Sequence, residues 1–235
     1  MMTPTERLSD PLPAEPLETA AEWLAESWKR RGQPNPNAMT LATSTIDGRP
    51  SARIVLCKEI AARPGYVVFY TNYHSRKGRE LAENPRAAAV LHFDPLQCQV
   101  RVEGVVEKAP EPDSDAYFAS RALDSRIGAW ASAQSEPIES RERLRAAVDA
   151  VAHRFGARWP GPDRPEATSE VAAAAEPFVP RPPHWGGYRL WAEAVELWVH
   201  GEARIHDRAR WSRELGRLPG GTIEPGPWSV TRLQP

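Results

Sequence analysis

Short strand-like runs joined by tight turns fill the first half of the chain, and this pattern constrains the fold most. Five such runs are rich in β-branched and other apolar residues, at 39–45, 51–58, 67–71, 87–93 and 98–107. Asp47-Gly48 and Pro64-Gly65 are turn signals between the first of them. Parallel strands need long crossover connections. We therefore predict a mainly β, α+β protein with an antiparallel barrel or sandwich rather than a doubly wound sheet.

Helical patterns and further strands complete the prediction. Apolar residues recur at three- and four-residue spacing over 17–31, and Ser75 precedes a short helix that Asn84-Pro85 ends. Two more helices are predicted at 113–120 and 140–155, with a turn at 125–130. The predicted closing strands are 188–191, 195–200, 205–213 and 228–233, with a Gly/Pro-rich loop at 216–227.

Composition predicts one domain with irregular attachments. Residues 1–16 are rich in Pro, Glu and Asp and are predicted to form a flexible arm. Residues 17–235 are predicted to form a single domain, interrupted at about 156–180 by a surface insertion rich in Pro and Ala.

Charge and cysteine content restrict the partners and the compartment. The net charge of −1 provides no general basic field for nucleic acid. The two cysteines, Cys57 and Cys98, lie in apolar runs without the spacing of metal ligands, which favours neither a disulfide framework nor zinc. No stretch approaches the roughly 20 apolar residues of a membrane span. We therefore expect a cytoplasmic protein that binds neither nucleic acid nor membrane, with no metal site.

Basic residues occur where a solvated surface explains them poorly. Arg53 and Lys58 bracket an apolar run, so at period two they fall on opposite faces of one strand, and one of them should point inward or across an interface. An edge strand with two ordinary surface charges is an equally good interpretation.

A second basic cluster, Ser75-Arg76-Lys77, begins a predicted helix. Cationic side chains in the first helical turn oppose the helix dipole unless an anion is bound there. The cluster therefore indicates a phosphate site, although a merely hydrophilic helix start fits equally well.

Two more groups combine cations with hydroxyls or histidine. Tyr117 and Arg121 are four residues apart on a predicted helix and Ser125 follows, so all three could converge on one phosphate; a buried Tyr117 with a solvated Arg121 is the plainer interpretation. Arg204, His206 and Arg208 alternate, which predicts three cationic or near-cationic groups on one strand face. His206 alone would more often be structural. Nucleotide-binding glycine motifs, a nucleophile elbow and zinc motifs are absent from the sequence.

In order and spacing, these groups resemble the pyridoxine/pyridoxamine 5'-phosphate oxidases, which have an FMN-binding split β-barrel. The resemblance runs from about Asp10 to Pro235, with a break at 156–180. The motifs that carry it are Arg53-Ile-Val-Leu-Cys-Lys58, Phe69-Tyr-Thr-Asn72 with Ser75-Arg-Lys77, Asp124-Ser-Arg-Ile-Gly-Ala-Trp130 with Gln134-Ser135, His184-Trp-Gly-Gly187 and Arg204-Ile-His-Asp-Arg208.

The resemblance implies a homodimer with FMN at the subunit interface. The implied FMN contacts are Arg53, Ile54, Val55, Leu56, Cys57, Lys58, Tyr70, Thr71, Arg76, Lys77, Gln99, Gln134, Ser135, Trp198 and Arg208. The implied contacts to a small phosphorylated pyridine are Lys58, Tyr117, Arg121, Ser125, Arg204, Ile205 and His206, with Arg204 and His206 catalytic.

The implied activity is oxidation of pyridoxine or pyridoxamine 5'-phosphate to pyridoxal 5'-phosphate, with molecular oxygen as acceptor. Two other functions stay open. One is a related FMN oxidase of an unphosphorylated aromatic, as in phenazine biosynthesis, which would have no reason to keep Lys58, Tyr117, Arg121 and Ser125 together. The other is a split-barrel module that binds flavin, haem or a deazaflavin without this reaction.

Overall fold

The computed structural model describes residues 7–157 and 177–235. The helices are α1 (Pro16–Arg30), α2 (Arg76–Glu83), α3 (Glu111–Ala119), α4 (Leu123–Ala131) and α5 (Arg141–Arg154). The strands are β1 (Ala38–Ser44), β2 (Pro50–Leu56), β3 (Glu59–Ala61), β4 (Tyr66–Asn72), β5 (Arg86–Phe93), β6 (Cys98–Lys108), β7 (Trp185–Val199), β8 (Asp207–Ser212), β9 (Leu215–Arg217), β10 (Ile223–Pro225) and β11 (Ser229–Leu233).

The chain divides into two compact units. We call residues 1–70, 80–108 and 188–235 the sheet unit, and residues 71–79 and 109–187 the helical unit. The predicted single domain stays a prediction. Of the predicted 156–180 insertion, residues 158–176 lie outside the described residues, as do residues 1–6 of the predicted arm.

The sheet follows the order β11-β8-β7-β6-β5-β1-β2, with β3 paired to β4 and β4 also paired to β7. Every pair whose register is known is antiparallel, which confirms the predicted sheet type. Along β6, burial alternates residue by residue. Val100 and Val102 face the core with Leu197 of β7, each of them fully buried. Burial of each such side chain contributes about 1.5–3 kcal/mol, so the alternation fixes which face of β6 is polar.

The N-terminal arm contacts the sheet unit where it is described. The Leu8 backbone N–H donates to the Asp207 carboxylate at 2.9 Å, and the Trp211 indole N–H donates to the Pro13 carbonyl at 2.8 Å. Leu8 itself is buried. Residues 8 and 13 of the predicted flexible arm are thus held by specific hydrogen bonds.

Three details of the prediction were wrong. The two strands predicted at 188–191 and 195–200 are the single strand β7, because a bulge opposite Glu103 and Gly104 accommodates Glu193 and pairing with β6 continues. Residues 125–130 are not a turn but lie within α4, where burial of Ile127 outweighs the low helix propensity of Gly128. The predicted 216–227 loop contains the antiparallel β9–β10 pair.

The helical unit has its own small core. Phe118 of α3 and Ile127 of α4 are fully buried, and the Phe118 ring meets Trp185 edge-on at a centroid distance of 5.1 Å. Ser114 is buried, and its hydroxyl accepts a hydrogen bond from the Gly187 N–H at 3.1 Å. Within the described ranges, the protein has no helix that is both long and apolar enough to cross a membrane.

Candidate functional site

In the sheet unit, Arg53 points into the protein. Its guanidinium donates to the hydroxyls of Thr43 and Ser51, and it lies 3.3 Å from a carboxylate oxygen of Glu80. Glu80 is buried and also accepts hydrogen bonds from Thr43 and Ser51, at 2.5 and 2.6 Å. The alternative of an ordinary surface charge is therefore wrong for Arg53. Sequence patterns gave no indication of Glu80, which holds the guanidinium in place.

Lys58 does not share a strand with Arg53, so that part of the prediction was wrong. Strand β2 ends at Leu56. At the next residue the Cys57 N–H donates to the Asn37 carbonyl, while the Cys57 carbonyl accepts a hydrogen bond from the Asn37 side-chain amide. Lys58 is exposed, and its backbone N–H donates to the Val68 carbonyl at 2.8 Å.

The other members of the predicted flavin strand differ in exposure. Ile54 and Leu56 are exposed and Val55 is half-buried, as is Tyr70 on β4. Cys57 is buried, and this burial raises the pKa of its thiol to about 12, so it is protonated at neutral pH. The strand can therefore offer backbone groups to a ligand but no thiolate nucleophile.

In the helical unit, Lys77 is a buried cation at the start of α2. Its Nζ donates to the hydroxyls of Thr71 and Ser75, both at 3.0 Å, and to the side-chain oxygen of Gln134 at 2.9 Å. The first turn of α2 contains no acidic residue. A hydrophilic helix start therefore does not explain Lys77, although Arg76 beside it is exposed.

The chain around Lys77 is tightly constrained. A Cβ on Gly78 would lie 2.0 Å from the Tyr73 carbonyl oxygen, so only glycine fits there. Ser135 follows Gln134 with a positive φ of 74°, an uncommon conformation for a residue with a side chain. Three residues predicted to contact FMN, namely Thr71, Lys77 and Gln134, thus meet within this unit, and Ser135 is adjacent in sequence.

Tyr117 and Arg121 both contact Trp185 in the helical unit. The Tyr117 ring stacks on Trp185 at a centroid distance of 6.2 Å and an interplanar angle of 7°, and the Arg121 Cζ lies 4.6 Å from the centre of the same indole. Helix α3 ends at Ala119, so the two residues do not share a helix face as predicted; Trp185 is what brings them together. Trp185 belongs to the His184-Trp-Gly-Gly187 motif but was given no role from sequence.

The Arg121 guanidinium has a buried hydrogen-bond donor that no described residue satisfies. Burial lowers its pKa from the ordinary value. Its Nη1 is buried and has no hydrogen-bond partner among residues 7–157 and 177–235. A buried cationic donor without a partner is costly, and an anionic ligand would remove that cost. Ser125, on the first turn of α4, is exposed.

Three of the predicted flavin contacts lie side by side on the adjacent strands β6, β7 and β8. Gln99 of β6 is opposite Trp198 of β7, which is opposite Arg208 of β8. Buried Glu196 accepts two hydrogen bonds from the Arg208 guanidinium, at 2.8 and 3.1 Å, and one from Arg101 at 3.3 Å. Glu196 was missed because a single acidic residue in an apolar strand carries no recognisable motif.

Arg204 and His206 do not lie on a strand face with Arg208, so the predicted alternation was wrong. Residues Glu202–Arg204 form one 3₁₀ turn, closed by the Ile205 N–H donating to the Glu202 carbonyl, and β8 begins only at Asp207. Arg204 is exposed with φ of 64°, and Ile205 is exposed as well. His206 is half-buried and packs on Trp198 at a ring-centroid distance of 4.7 Å.

Comparison with known proteins identifies the family. The pyridoxamine 5'-phosphate oxidase family model matches residues 29–155, and the model of the pyridoxine 5'-phosphate oxidase C-terminal dimerisation region matches residues 185–235. The chain is similar to the pyridoxine/pyridoxamine 5'-phosphate oxidase of Burkholderia lata, with 45% identity over 94% of this chain and 89% of the relative. It is 49% identical to the enzyme of the same name from Burkholderia mallei, over 86% of this chain and 81% of the relative.

Solved structures match the fold as well. PhzG from Burkholderia lata, in complex with tetrahydrophenazine-1-carboxylic acid, superposes with a TM-score of 0.77 at 30% identity, covering 100% of this chain and 98% of that one. A pyridoxamine 5'-phosphate oxidase-related, FMN-binding protein from Nostoc punctiforme gives a TM-score of 0.63 at 15% identity, covering 94% and 98%, which supports the fold alone. The predicted antiparallel split barrel is thereby confirmed, and this chain belongs to the pyridoxine/pyridoxamine 5'-phosphate oxidase family.

Proposed function

We propose that the protein oxidises pyridoxine 5'-phosphate, pyridoxamine 5'-phosphate or both to pyridoxal 5'-phosphate, using FMN and molecular oxygen. Family membership supports the reaction class. The observation that carries the substrate assignment is Arg121, whose buried Nη1 has no hydrogen-bond partner within the described residues and whose Cζ lies over the Trp185 ring. Such a donor, held beside Tyr117, suits a substrate phosphate.

The residues present fit FMN by the chemistry of their donors. Arg53, Arg76, Lys77 and Ser135 would supply the cations and hydroxyl that a phosphate requires, and Lys77 is already held in place by three acceptors. Gln99, Trp198 and Arg208 would supply an amide, an aromatic ring and a guanidinium to the flavin ring, with Tyr70, Thr71 and Gln134 as further contacts. The backbone of residues 53–58 would follow the flavin edge.

Bound FMN would supply a hydride acceptor for the substrate carbon that bears the amine or alcohol, and molecular oxygen would be the final electron acceptor, with hydrogen peroxide as its product. With the alcohol, one oxygen molecule is consumed and the aldehyde and peroxide are formed. With the amine, water supplies the aldehyde oxygen and ammonia is released as well. The protein therefore has to orient the substrate, and it needs no side-chain nucleophile.

The chain's own residues would do this in two places. Lys58, Tyr117, Arg121 and Ser125 are proposed to hold the substrate phosphate. Arg204, Ile205 and His206 are proposed to contact the pyridine ring, with Arg204 and His206 orienting it for reaction. Arg204 is exposed and presented by a short turn, which leaves its guanidinium accessible to a ligand.

The test is to add each phosphorylated vitamer to the FMN-loaded protein and to follow aldehyde absorbance together with peroxide release. We expect both signals with at least one phosphorylated vitamer and far slower turnover with its dephosphorylated form. Equal rates with and without the phosphate would contradict the role of Arg121. Turnover of an unphosphorylated phenazine precursor instead would favour the activity type of PhzG, which the chain resembles at 30% identity.

A homodimer is the proposed assembly, with FMN at the subunit interface. The match of residues 185–235 to a C-terminal dimerisation region supports the dimer. A split-barrel module without oxidase activity is the remaining alternative. Protein that is colourless and gains no flavin spectrum with added FMN would favour a module that binds another cofactor.

A further inference from the structure

A histidine that the proposed function does not use lies beside the proposed catalytic histidine. His200 directly follows β7, is exposed, and has its ring centroid 5.4 Å from that of His206. We propose that His200 is a positioning residue, which holds the His206 imidazole in one orientation and one tautomer. The inference rests on the proposed function through the role given to His206.

Three rings form a compact cluster within the sheet unit. His206 lies 4.7 Å from Trp198 and 5.4 Å from His200, and Trp198 lies 6.1 Å from His200, all measured between centroids. The interplanar angles are 42°, 48° and 60°, so no two rings are parallel. Tilted packing against two neighbours opposes rotation of the His206 ring about its side-chain bonds, because a rotated ring would meet one of them.

The backbone fixes His200 more firmly than its exposure suggests. Its N–H donates to the Gln97 carbonyl at 2.9 Å, at the end of the turn that leads into β6. The next residue, Gly201, has no room for a side chain, because a Cβ there would lie 1.8 Å from the Ile205 carbonyl oxygen. The His200 ring is thus presented from a constrained stretch of chain.

One hydrogen bond selects the His206 tautomer. The Gly201 N–H donates to Nδ1 of His206 at 3.2 Å. In the neutral imidazole Nδ1 is then the acceptor and Nε2 carries the proton. This hydrogen bond survives only while the ring keeps its orientation, so packing against His200 and Trp198 maintains the tautomer as well as the position.

The chain segment before His206 does little to fix the position of the His206 ring, so the ring depends on its contacts with His200 and Trp198. Ala203 and Arg204 both adopt left-handed backbone conformations, with φ of 53° and 64°. Ala203, Arg204 and Ile205 are all exposed. A side chain that follows such a segment depends on its ring contacts, and His200 supplies one of them.

The experiment compares the FMN-loaded wild type with His200→Ala, which removes the ring, and His200→Phe, which keeps a ring without nitrogen atoms. His153→Ala, at an exposed histidine of α5, is the matched control. Three quantities are measured: the ¹⁵N chemical shifts of the His206 ring nitrogens, the anaerobic rate of flavin reduction by pyridoxamine 5'-phosphate, and the dissociation constant of FMN.

We expect the wild-type spectrum to show the proton on Nε2. In His200→Ala the two nitrogen shifts should move toward averaged values, and the reduction rate should fall about tenfold, since misplacement of a catalytic group commonly costs one to two orders of magnitude. The dissociation constant of FMN should stay within about twofold of the wild-type value. His200→Phe should restore the wild-type nitrogen shifts and the wild-type reduction rate. The control variant should match wild type throughout.

The spectrum tests whether His200 fixes the His206 ring, and the reduction rate tests whether that orientation matters for the reaction. Identical His206 shifts in wild type and His200→Ala would overturn the inference, as would changed shifts with an unchanged reduction rate, or a His200→Phe variant as defective as His200→Ala. If the wild type oxidises no vitamer phosphate, the proposed function fails, yet the ¹⁵N comparison still shows whether His200 fixes the His206 ring.

Discussion

At the scale of single residues, the proposed substrate phosphate site depends on a guanidinium whose surroundings cost free energy without a ligand. Burial lowers the Arg121 pKa, and its buried Nη1 lacks a hydrogen-bond partner among the described residues. The Arg121 Cζ lies over the Trp185 ring, and this contact helps to keep the guanidinium in place. A bound phosphate would supply the missing hydrogen-bond partner of Nη1 and would therefore explain why the guanidinium is buried there.

Arg121→Gln should therefore lower kcat/KM for the phosphorylated vitamer about 10- to 100-fold, because a hydrogen bond between charged groups contributes about 1.5–3 kcal/mol. Turnover of the dephosphorylated vitamer should be unaffected. Steady-state kinetics with both forms checks this. Arg154→Gln is the matched control, since Arg154 also lies over a tryptophan, 5.0 Å from the Trp130 ring centre. An equal loss with both vitamers would show that Arg121 does not bind the phosphate.

At the scale of elements, ion pairs stabilise the polar face of strands β6, β7 and β8, and one of them spans β7 to join β6 to β8. Glu103 of β6 accepts hydrogen bonds from both terminal nitrogens of Arg210 on β8, at 2.8 and 3.2 Å, and one from Arg101 at 2.9 Å. The bonds from Arg210 are the main cause of a lowered Glu103 pKa, and the same bonds raise the Arg210 pKa.

The lowered Glu103 pKa predicts a definite pH dependence. A carboxylate with a lower pKa in the folded state stabilises the fold above its unfolded pKa of about 4.3, and this contribution disappears as the pH falls through the folded value. Glu103→Gln should therefore lower the urea midpoint at pH 7, with the difference from wild type shrinking below about pH 4. Glu83→Gln, at an exposed carboxylate of α2, is the control. A difference that does not change with pH would refute the prediction.

A bulge determines how β7 continues past the middle of β6. Gly104→Ala should destabilise the protein by several kcal/mol, because the new Cβ would lie 1.9 Å from the Trp191 carbonyl oxygen, within the rigid sheet. Gly128→Ala is the control, since that Cβ would enter open space within α4 and should stabilise the helix by about 0.5–1 kcal/mol. Thermal unfolding of both variants distinguishes the two cases. A Gly104→Ala protein as stable as wild type would mean that the bulge adapts.

The strands and most helices followed from the sequence because alternation and turn residues act locally, as at Asp47-Gly48 and along β6. The bulge at Gly104 and the helical conformation of 123–131 could not be predicted in this way, because each depends on a distant partner. The same holds in the candidate site. Arg53, Arg121 and Arg208 could be proposed from their motifs. Their partners Glu80, Trp185 and Glu196, respectively, are identified by three-dimensional contacts alone.

At the scale of the whole molecule, one edge strand of the sheet exposes apolar side chains. Strand β2 ends that order, with Ile54 63% and Leu56 38% exposed. Exposed apolar residues on an edge strand favour association unless they are covered. The proposed homodimer would cover them, and the same strand carries Arg53 and the backbone groups proposed for FMN.

Ile54→Asp should therefore weaken both the dimer and the binding of FMN. In a twofold-symmetric interface each substitution counts twice, and loss of two buried isoleucines at about 2 kcal/mol each corresponds to roughly a thousandfold rise in the dimer dissociation constant. Sedimentation equilibrium measures that rise. Flavin fluorescence measures FMN affinity, which should fall as the variant is diluted, because only the dimer would contain the complete site. Ile46→Asp, at a 75% exposed isoleucine in the β1–β2 turn, should change neither quantity. A monomeric Ile54→Asp protein that binds FMN as tightly as wild type would separate flavin binding from dimerisation and place FMN within one subunit.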